Sequence, residues 1–156
     1  MAPRNSPDRA AVATERIASE CLAVRARMLN RVLTGIYDEA MRPFGVTVGQ
    51  VNILVSVNTF GSAGQSDVGA LLHMEKSTLS RNVDRLRRGG WMRVTEDADA
   101  RSQRLHVTAK GKRLIESVLP AWEAAQKQAR AVVGSDGERA LRAVADRLWV
   151  DAVDSE

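Results

Sequence analysis

The stretch GQSDVGALLHMEKSTLSRNVDRLRRGGWMRVTEDADARSQRLHVTAKG, residues 64–111, decides the fold. It opens with two short helical patterns, residues 66–73 and 77–88, joined by the tight break Met74-Glu75-Lys76. Two short helices in this arrangement are typical of a helix-turn-helix. Paired glycines then end the second pattern, because glycine tolerates the backbone of a helix end.

The second helix of the pair has an apolar face and a polar face. Leu79, Val83 and Leu86 recur at helical spacing and form the predicted core stripe. The opposite face carries Ser77, Thr78, Arg81, Asn82 and Arg85. Arginine can pair with guanine, asparagine with adenine, and serine or threonine with base edges or phosphates. This face therefore fits a major groove, although any amphipathic helix also exposes a polar face.

After the second helix the pattern changes from helical spacing to alternation. Residues 91–95 and 104–108 alternate like two strands, and the polar residues 96–103 form a hairpin tip between them. A two-stranded ribbon beside a recognition helix is a wing. The fold class we predict is mainly α with a small β-hairpin wing, a winged helix-turn-helix core flanked by long helices.

The tip of this predicted wing carries two arginines, Arg101 and Arg104, and an aspartate, Asp99. An arginine at such a tip can enter the minor groove, where narrow A·T tracts concentrate negative potential. Asp99 can hold the Arg101 guanidinium by a charge-assisted hydrogen bond. The alternative is an ordinary surface hairpin with an exposed ion pair, worth under about 1 kcal/mol.

The positive charge of the chain is local. The 156 residues hold 23 Lys/Arg and 19 Asp/Glu, a formal net charge of +4. Residues 73–113 contain 11 basic and 5 acidic residues, a net charge of +6, and the remainder has 12 basic and 14 acidic, a net charge of −2. A basic segment inside a folded domain favours nucleic acid as the partner, although it also fits a solvated face. The candidate phosphate contacts are Lys76, Arg88, Arg93 and Lys110.

Long helical patterns lie on both sides of this segment. One covers residues 13–41, a second begins at Thr47 with Gln50 as a capping-box partner, and others follow residue 109 with a break at Gly134. The terminal helices are too apolar for so small a domain to cover, so we expect two copies to bury them across a two-fold axis. The predicted organisation is a loose arm at 1–12, a dimerisation helix at 13–46, a DNA-binding lobe at 47–113 and dimerisation helices at 114–156.

Composition excludes several other classes. No apolar run approaches the roughly 18 residues of a membrane span, and the N-terminus is polar, so we expect a cytoplasmic protein without a membrane partner. A single cysteine excludes an internal disulfide framework, and one cysteine with two histidines argues against a structural zinc site, so we expect no metal or other cofactor. Neither a nucleophile elbow nor a phosphate loop is present, which argues against an enzyme.

Four features together resemble the MarR family of bacterial transcription regulators: STLSRNVDRL in the recognition helix, GGW at its end, DADARSQR at the wing, and LHVTAKG at the exit. The resemblance covers about residues 13–152. It implies a homodimer that binds a pseudo-palindromic operator in double-stranded DNA, most often as a repressor. The wing residues it implies are Asp99 and Arg101. The recognition positions it implies are Ser77, Thr78, Ser80, Arg81 and Arg85.

Two candidate switches follow from the sequence. The resemblance implies a pocket for a small aromatic or anionic effector between the dimer helices and the DNA-binding lobe. It also includes peroxide sensors with a reactive cysteine in the first helix and tyrosine partners, to which Cys21 and the single tyrosine, Tyr37, correspond. Arg25, four residues after Cys21, would favour the thiolate. The alternative for Cys21 is a small buried apolar residue.

Overall fold

The computed structural model describes residues 8–96 and 103–153, and it is mainly helical with one small antiparallel sheet. The elements in chain order are α1 (Arg9–Glu20), α2 (Leu22–Met41), a 3-10 turn (Arg42–Phe44), α3 (Val48–Thr59), β1 (Ala63–Gly64), α4 (Gln65–Leu71), α5 (Lys76–Arg88), β2 (Met92–Glu96), β3 (Gln103–Val107) and α6 (Ala109–Val153). The predicted fold class is confirmed. None of the helices in these two ranges has the length and apolar character needed to cross a bilayer.

The chain divides into two compact units, residues 1–35 and residues 36–156. In the first unit, the side chain of Asp8 caps α1 by accepting a hydrogen bond from the N–H of Ala10. Helix α1 starts at Arg9, so the loose arm predicted for residues 1–12 is wrong for residues 9–12. The helix predicted over 13–41 is divided, because Cys21 has extended backbone angles (φ −65°, ψ 107°) and ends α1. The expectation that Cys21 lies within one long helix is therefore wrong.

The second unit holds a continuous apolar core. The side chains with essentially no exposure come from α2, α3, α4, α5 and β3: Met41, Ile53, Leu54, Val57, Val68, Leu79, Leu86 and Leu105. Helix α3 begins as predicted, since the Thr47 hydroxyl accepts from the N–H of Gln50 and the Gln50 side chain accepts from the N–H of Thr47. This capping box fixes the start of the helix that supplies the centre of the core.

The sheet has the strand order β1-β3-β2. Strands β2 and β3 form the predicted hairpin, with Met92 opposite Val107 and Val94 opposite Leu105. Strand β1 was not predicted, because two residues beside a turn show no alternation. It pairs Ala63 with Leu105, and it attaches the hairpin to the end of α3.

The GGW and TAKG motifs lie together where the wing joins α6. The Thr108 hydroxyl donates to the carbonyl of Gly90 at 2.7 Å, and it also accepts from the N–H of Gly111 at 3.1 Å. A Cβ on Gly111 would stand 2.2 Å from the carbonyl oxygen of Trp91, so only glycine fits there. Close packing at the base of the wing thus explains why these residue types occur together.

Helix α6 is kinked at Gly134, which has φ 69° and ψ 171°. The break predicted at this position is confirmed. A cluster of charges brackets the kink: the Glu138 carboxylate accepts from Arg130 at 3.1 Å and from Arg142 at 2.9 Å. Hydrogen bonding from Arg142 is the largest cause that lowers the pKa of Glu138.

Candidate nucleic-acid interface

The two faces of α5 differ as the sequence predicts. Leu79, Val83 and Leu86 are buried in the core. The outward face exposes a set of hydrogen-bonding side chains, Ser77, Thr78, Ser80, Arg81 and Arg85. An exposed face of this composition, carried on a helix anchored by three apolar side chains, can be inserted into a groove as a rigid body.

A tight turn connects α4 to α5. His73 has a left-handed backbone (φ 47°), which is unusual for a residue other than glycine. The turn is held by hydrogen bonds from the N–H of His73 to the carbonyl of Ala70 at 3.1 Å and from the N–H of Met74 to the carbonyl of Gly69 at 2.9 Å. Its geometry sets the direction in which α5 leaves α4.

Asn82 is placed differently from the other predicted recognition residues. Its side chain is half-buried, and both ends of its amide have partners within the lobe. The amide nitrogen donates to the carbonyl of Thr78 at 3.1 Å, and the amide oxygen accepts from the side chain of Gln50 at 3.3 Å. A contact from Asn82 to a base would therefore compete with hydrogen bonds that the side chain already makes within the lobe.

The predicted phosphate contacts fall into two groups. Lys76 and Arg93 are exposed. Arg88 and Lys110 have partners in the lobe: the Arg88 guanidinium donates to the carbonyl of Asp84 at 3.3 Å, and the Lys110 ammonium donates to the carbonyl of Gly89 at 2.7 Å. Lys110 also lies 5.4 Å from the centre of the Trp91 ring, a cation–π contact at the base of the wing.

The wing is described up to both sides of its tip. Arg104 lies on β3 and donates to the hydroxyl of Ser62 at 3.1 Å, so it also links the wing to the turn before β1. Asp99 and Arg101 lie outside the described residues. Between α4, the helix-turn-helix turn and the strand ends lies a groove of about 830 Å³, with Lys76, Glu96 and Gln103 in its lining.

The sequence and the structure of the chain are both similar to those of known transcriptional regulators. A family model described as the MarR family matches residues 44–102. The transcriptional regulator MOSR of M. tuberculosis, solved in complex with DNA, is 32% identical, with 88% of this chain and 100% of that chain covered and a TM-score of 0.73. The chain belongs to the MarR family. Members of the MarR family are DNA-binding transcriptional regulators, not enzymes.

Two further relatives agree with the MarR fold. A mutant MarR from E. coli, complexed with operator DNA, is 17% identical over 85% of this chain and 96% of that chain, with a TM-score of 0.73. The uncharacterized HTH-type transcriptional regulator YwoH of Bacillus subtilis is 25% identical over 88 residues, 56% of this chain. That match spans 64% of the length of YwoH.

The three candidate switch residues of this MarR-family chain lie in α2 or at its start. Cys21 is half-buried at the break between α1 and α2. The Arg25 guanidinium donates to the backbone carbonyls of Cys21, at 3.1 Å, and of Ser19, so its described hydrogen bonds cap the end of α1. The Tyr37 hydroxyl donates to the side chain of Gln126 on α6, and burial raises the pKa of Tyr37.

Proposed function

We propose that this MarR-family chain is a homodimeric repressor that binds a pseudo-palindromic operator in double-stranded DNA. In this proposal α5 enters the major groove through Ser77, Thr78, Ser80, Arg81 and Arg85. The observation that carries the proposal is the two-faced α5, which buries one stripe and exposes hydrogen-bonding side chains within a segment of net charge +6. Such a surface can read base edges and neutralise phosphates at the same time.

The wing is the second proposed contact. Arg101, positioned by Asp99, would enter the minor groove beside the site occupied by α5. Lys76 and Arg93 are proposed to contact phosphates, because both are exposed in the basic segment. Arg88, Arg104 and Lys110 are proposed to add phosphate contacts while they brace α5 and the wing.

A second copy of the chain is the proposed partner of the terminal helices. Among the described residues, every exposed large apolar side chain except Val55 and Phe60 lies in α1, α2 or α6. The members of this set are Val12, Ile17, Leu22, Val24, Met28, Val32, Leu119, Trp122, Val132, Leu141, Val144 and Leu148. Single exposed apolar residues are normal, but rows of them along helices indicate an interface. We propose residues 13–46 and 114–156 as the dimerisation regions and residues 47–113 as the DNA-binding lobe.

Dimer symmetry supports a pseudo-palindromic operator. A two-fold axis would present two α5 helices to successive major grooves about 34–36 Å apart. A dimer bound there would keep other proteins off the same DNA, which is how we propose that it represses. A reporter gene placed behind the operator would be silenced by the wild-type chain, and activation of the reporter would contradict the repressor assignment.

The central experiment begins with selection of duplexes from a randomised DNA pool by the wild-type protein. The affinity of the selected duplex is then measured for Arg81→Ala. We expect about a tenfold loss with relaxed preference at one base pair, because an arginine that pairs with a base contributes about 1–3 kcal/mol. Arg139→Ala is the matched control, since Arg139 is exposed in α6 and paired with Asp136 outside the basic segment.

Each result of that experiment bears on a different part of the proposal. A wild-type protein that enriches no sequence would contradict sequence-specific DNA binding. Equal losses for Arg81→Ala and Arg139→Ala would indicate that only net charge matters, and α5 would then not be the reading element.

Release of the operator by a small aromatic or anionic effector is the proposed switch. BpsR of Bordetella bronchiseptica, which has the same fold at 17% identity and a TM-score of 0.72, has its DNA binding regulated by 6-hydroxynicotinic acid. The alternative switch is oxidation of Cys21, which lies half-buried at the break between α1 and α2.

Hydroperoxide treatment separates these two switches. The complex with the selected duplex is titrated with an organic hydroperoxide, using the wild-type protein and Cys21→Ser. If a small molecule is the effector, we expect the two proteins to retain DNA equally. Release from the wild type alone would establish the cysteine switch instead.

A further inference from the structure

Several hydrogen bonds lie between the end of α2 and α5. Tyr37 of α2 donates to Gln126 of α6, and the next residue, Asp38, accepts from the N–H of Val48 at 2.7 Å. Val48 is the first residue of α3, and its neighbour Thr47 forms the capping box with Gln50. The start of α3 is therefore held from both α2 and its own cap.

Gln50 connects this cap to the recognition helix. Its side-chain oxygen accepts from the N–H of Thr47 at 3.1 Å, while its side-chain nitrogen donates to the amide oxygen of Asn82 at 3.3 Å. Gln50 is only 5% exposed, and it is the single polar residue among the buried ones that the structure describes. A buried amide with both ends paired is held in one orientation, because loss of either hydrogen bond leaves a desolvated polar group.

Asn82 stands on the inner edge of α5. It follows Leu79 by three residues and precedes Leu86 by four, so it shares their side of the helix rather than the outward face. Its amide nitrogen is already used by the carbonyl of Thr78 at 3.1 Å. While the contact with Gln50 is present, both ends of the Asn82 amide already hold a partner within the lobe, so a contact with a base would compete with these hydrogen bonds.

We infer that Gln50 is a positioning residue for the recognition helix and that Asn82 is a strut through which it acts, not a base-reading residue. This inference rests on the proposed use of α5 for DNA recognition. The strut fixes the rotation and tilt of α5 against the start of α3. Its loss therefore weakens binding to every base of the operator alike, because the whole outward face shifts together.

The experiment is a double-mutant cycle on the duplex that the wild-type protein selects from a random pool. Gln50→Glu keeps the oxygen that caps Thr47 and removes the donor to Asn82, and Asn82→Ala removes the acceptor. Asn52→Asp is the matched control, because it adds the same charge at an exposed position of the same helix. Affinity, preference at each base pair, dimer mass and thermal stability are measured for every variant.

We expect Gln50→Glu and Asn82→Ala each to weaken binding by about fivefold to tenfold, and the double variant to be no weaker than the weaker-binding single variant. The preference at each base pair stays as in the wild type. If Gln50→Glu does not fold, the base-preference profile of Asn82→Ala decides alone: a uniform loss supports the strut.

Four results would overturn the inference. The first is relaxed preference at one base pair in Asn82→Ala, which would make Asn82 a base reader. The second is an additive double variant, and the third is a Gln50→Glu protein that binds no more weakly than Asn52→Asp. In these three cases the proposed function survives. The fourth is a wild-type protein that selects no sequence, which removes the proposed function together with the strut.

Discussion

The proposed DNA-binding lobe and the terminal helices expose their apolar residues to different degrees. In the lobe, α3, α5 and the sheet bury theirs within one chain, and Ile53, Leu86 and Leu105 have no exposure at all. In α1, α2 and α6, rows of large apolar side chains are exposed, and Leu22 is 78% exposed. The lobe buries most of its large apolar side chains within a single chain, whereas α1, α2 and α6 leave many of theirs exposed.

The difference in exposure suggests different roles for the lobe and for the terminal helices. The core of the lobe is apolar apart from Gln50, and in the described part of the chain no buried side-chain polar atom lacks a hydrogen-bond partner. Many of the basic side chains of the lobe are therefore exposed and available to the proposed DNA partner. In the proposed dimer the terminal helices gain stability from a second chain, so their contribution would depend on protein concentration. Under the proposed function, operator affinity depends both on the DNA contacts of the lobe and on dimerisation through the terminal helices. Mutations in one region can change it without affecting the other.

The largest effect is expected from a charge placed in the terminal helices. Val144→Asp buries a carboxylate in the proposed dimer interface, which costs several kcal/mol if the charge stays unpaired. Loss of the dimer leaves one half-site, so affinity for the operator falls by more than about 100-fold. Sedimentation velocity measures the dimer, and fluorescence anisotropy measures the affinity.

Val55→Asp is the matched control, since Val55 of α3 is 44% exposed and Val144 is 47% exposed. The same substitution there should leave the dimer intact. A Val144→Asp protein that remains dimeric would contradict the proposed difference between the two regions. The exposed apolar side chains around Val144 would then not form the dimer interface.

An intermediate effect is expected at the wing. Arg101→Ala should weaken operator binding by about tenfold and reduce the preference for A·T pairs beside each half-site, with the dimer unchanged. Affinity for duplexes with A·T or G·C flanks is compared at one salt concentration. Equal affinity of Arg101→Ala and wild type would remove the wing from the interface.

The smallest effect is expected from one phosphate contact. Arg93→Ala should lower affinity for all duplexes by a similar factor and reduce the slope of log K against log salt by about 1 per subunit. The slope is measured between 50 and 200 mM salt, about the range over which phosphate contacts dominate. An unchanged slope would show that Arg93 does not contact a phosphate.

Most of the fold could be predicted because its signals are local. The Thr47–Gln50 capping box, the core stripe of α5 and the break at Gly134 all depend on residues within a few positions of one another. Strand β1 was missed because its pairing with β3 joins residues far apart in sequence. The break at Cys21 was missed because neither glycine nor proline marks it.

The exposed face of α5 was predictable for the same reason, with one exception. The exposed residues of α5 follow from helical spacing relative to Leu79, Val83 and Leu86. Asn82 was grouped with the outward face because of its chemistry, although its spacing from Leu79 and Leu86 places it at the edge of the core. A signal was present in the sequence: Gln50 and Asn82 both carry side-chain amides and both stand at helical spacing from buried apolar residues. Such a pair indicates a hydrogen bond within the lobe.

The pairing of β1 with β3 also affects how the lobe opens. Ala63 and Leu105 are partners, so this short ladder closes a loop whose ends lie 42 positions apart and which contains α4, α5 and β2. Because β1 and β3 close this loop, the segment that contains α5 gains its full conformational entropy only when the hydrogen bonds between β1 and β3 break. Amide protons of α5 and of β3 should therefore exchange with solvent as one cooperative unit.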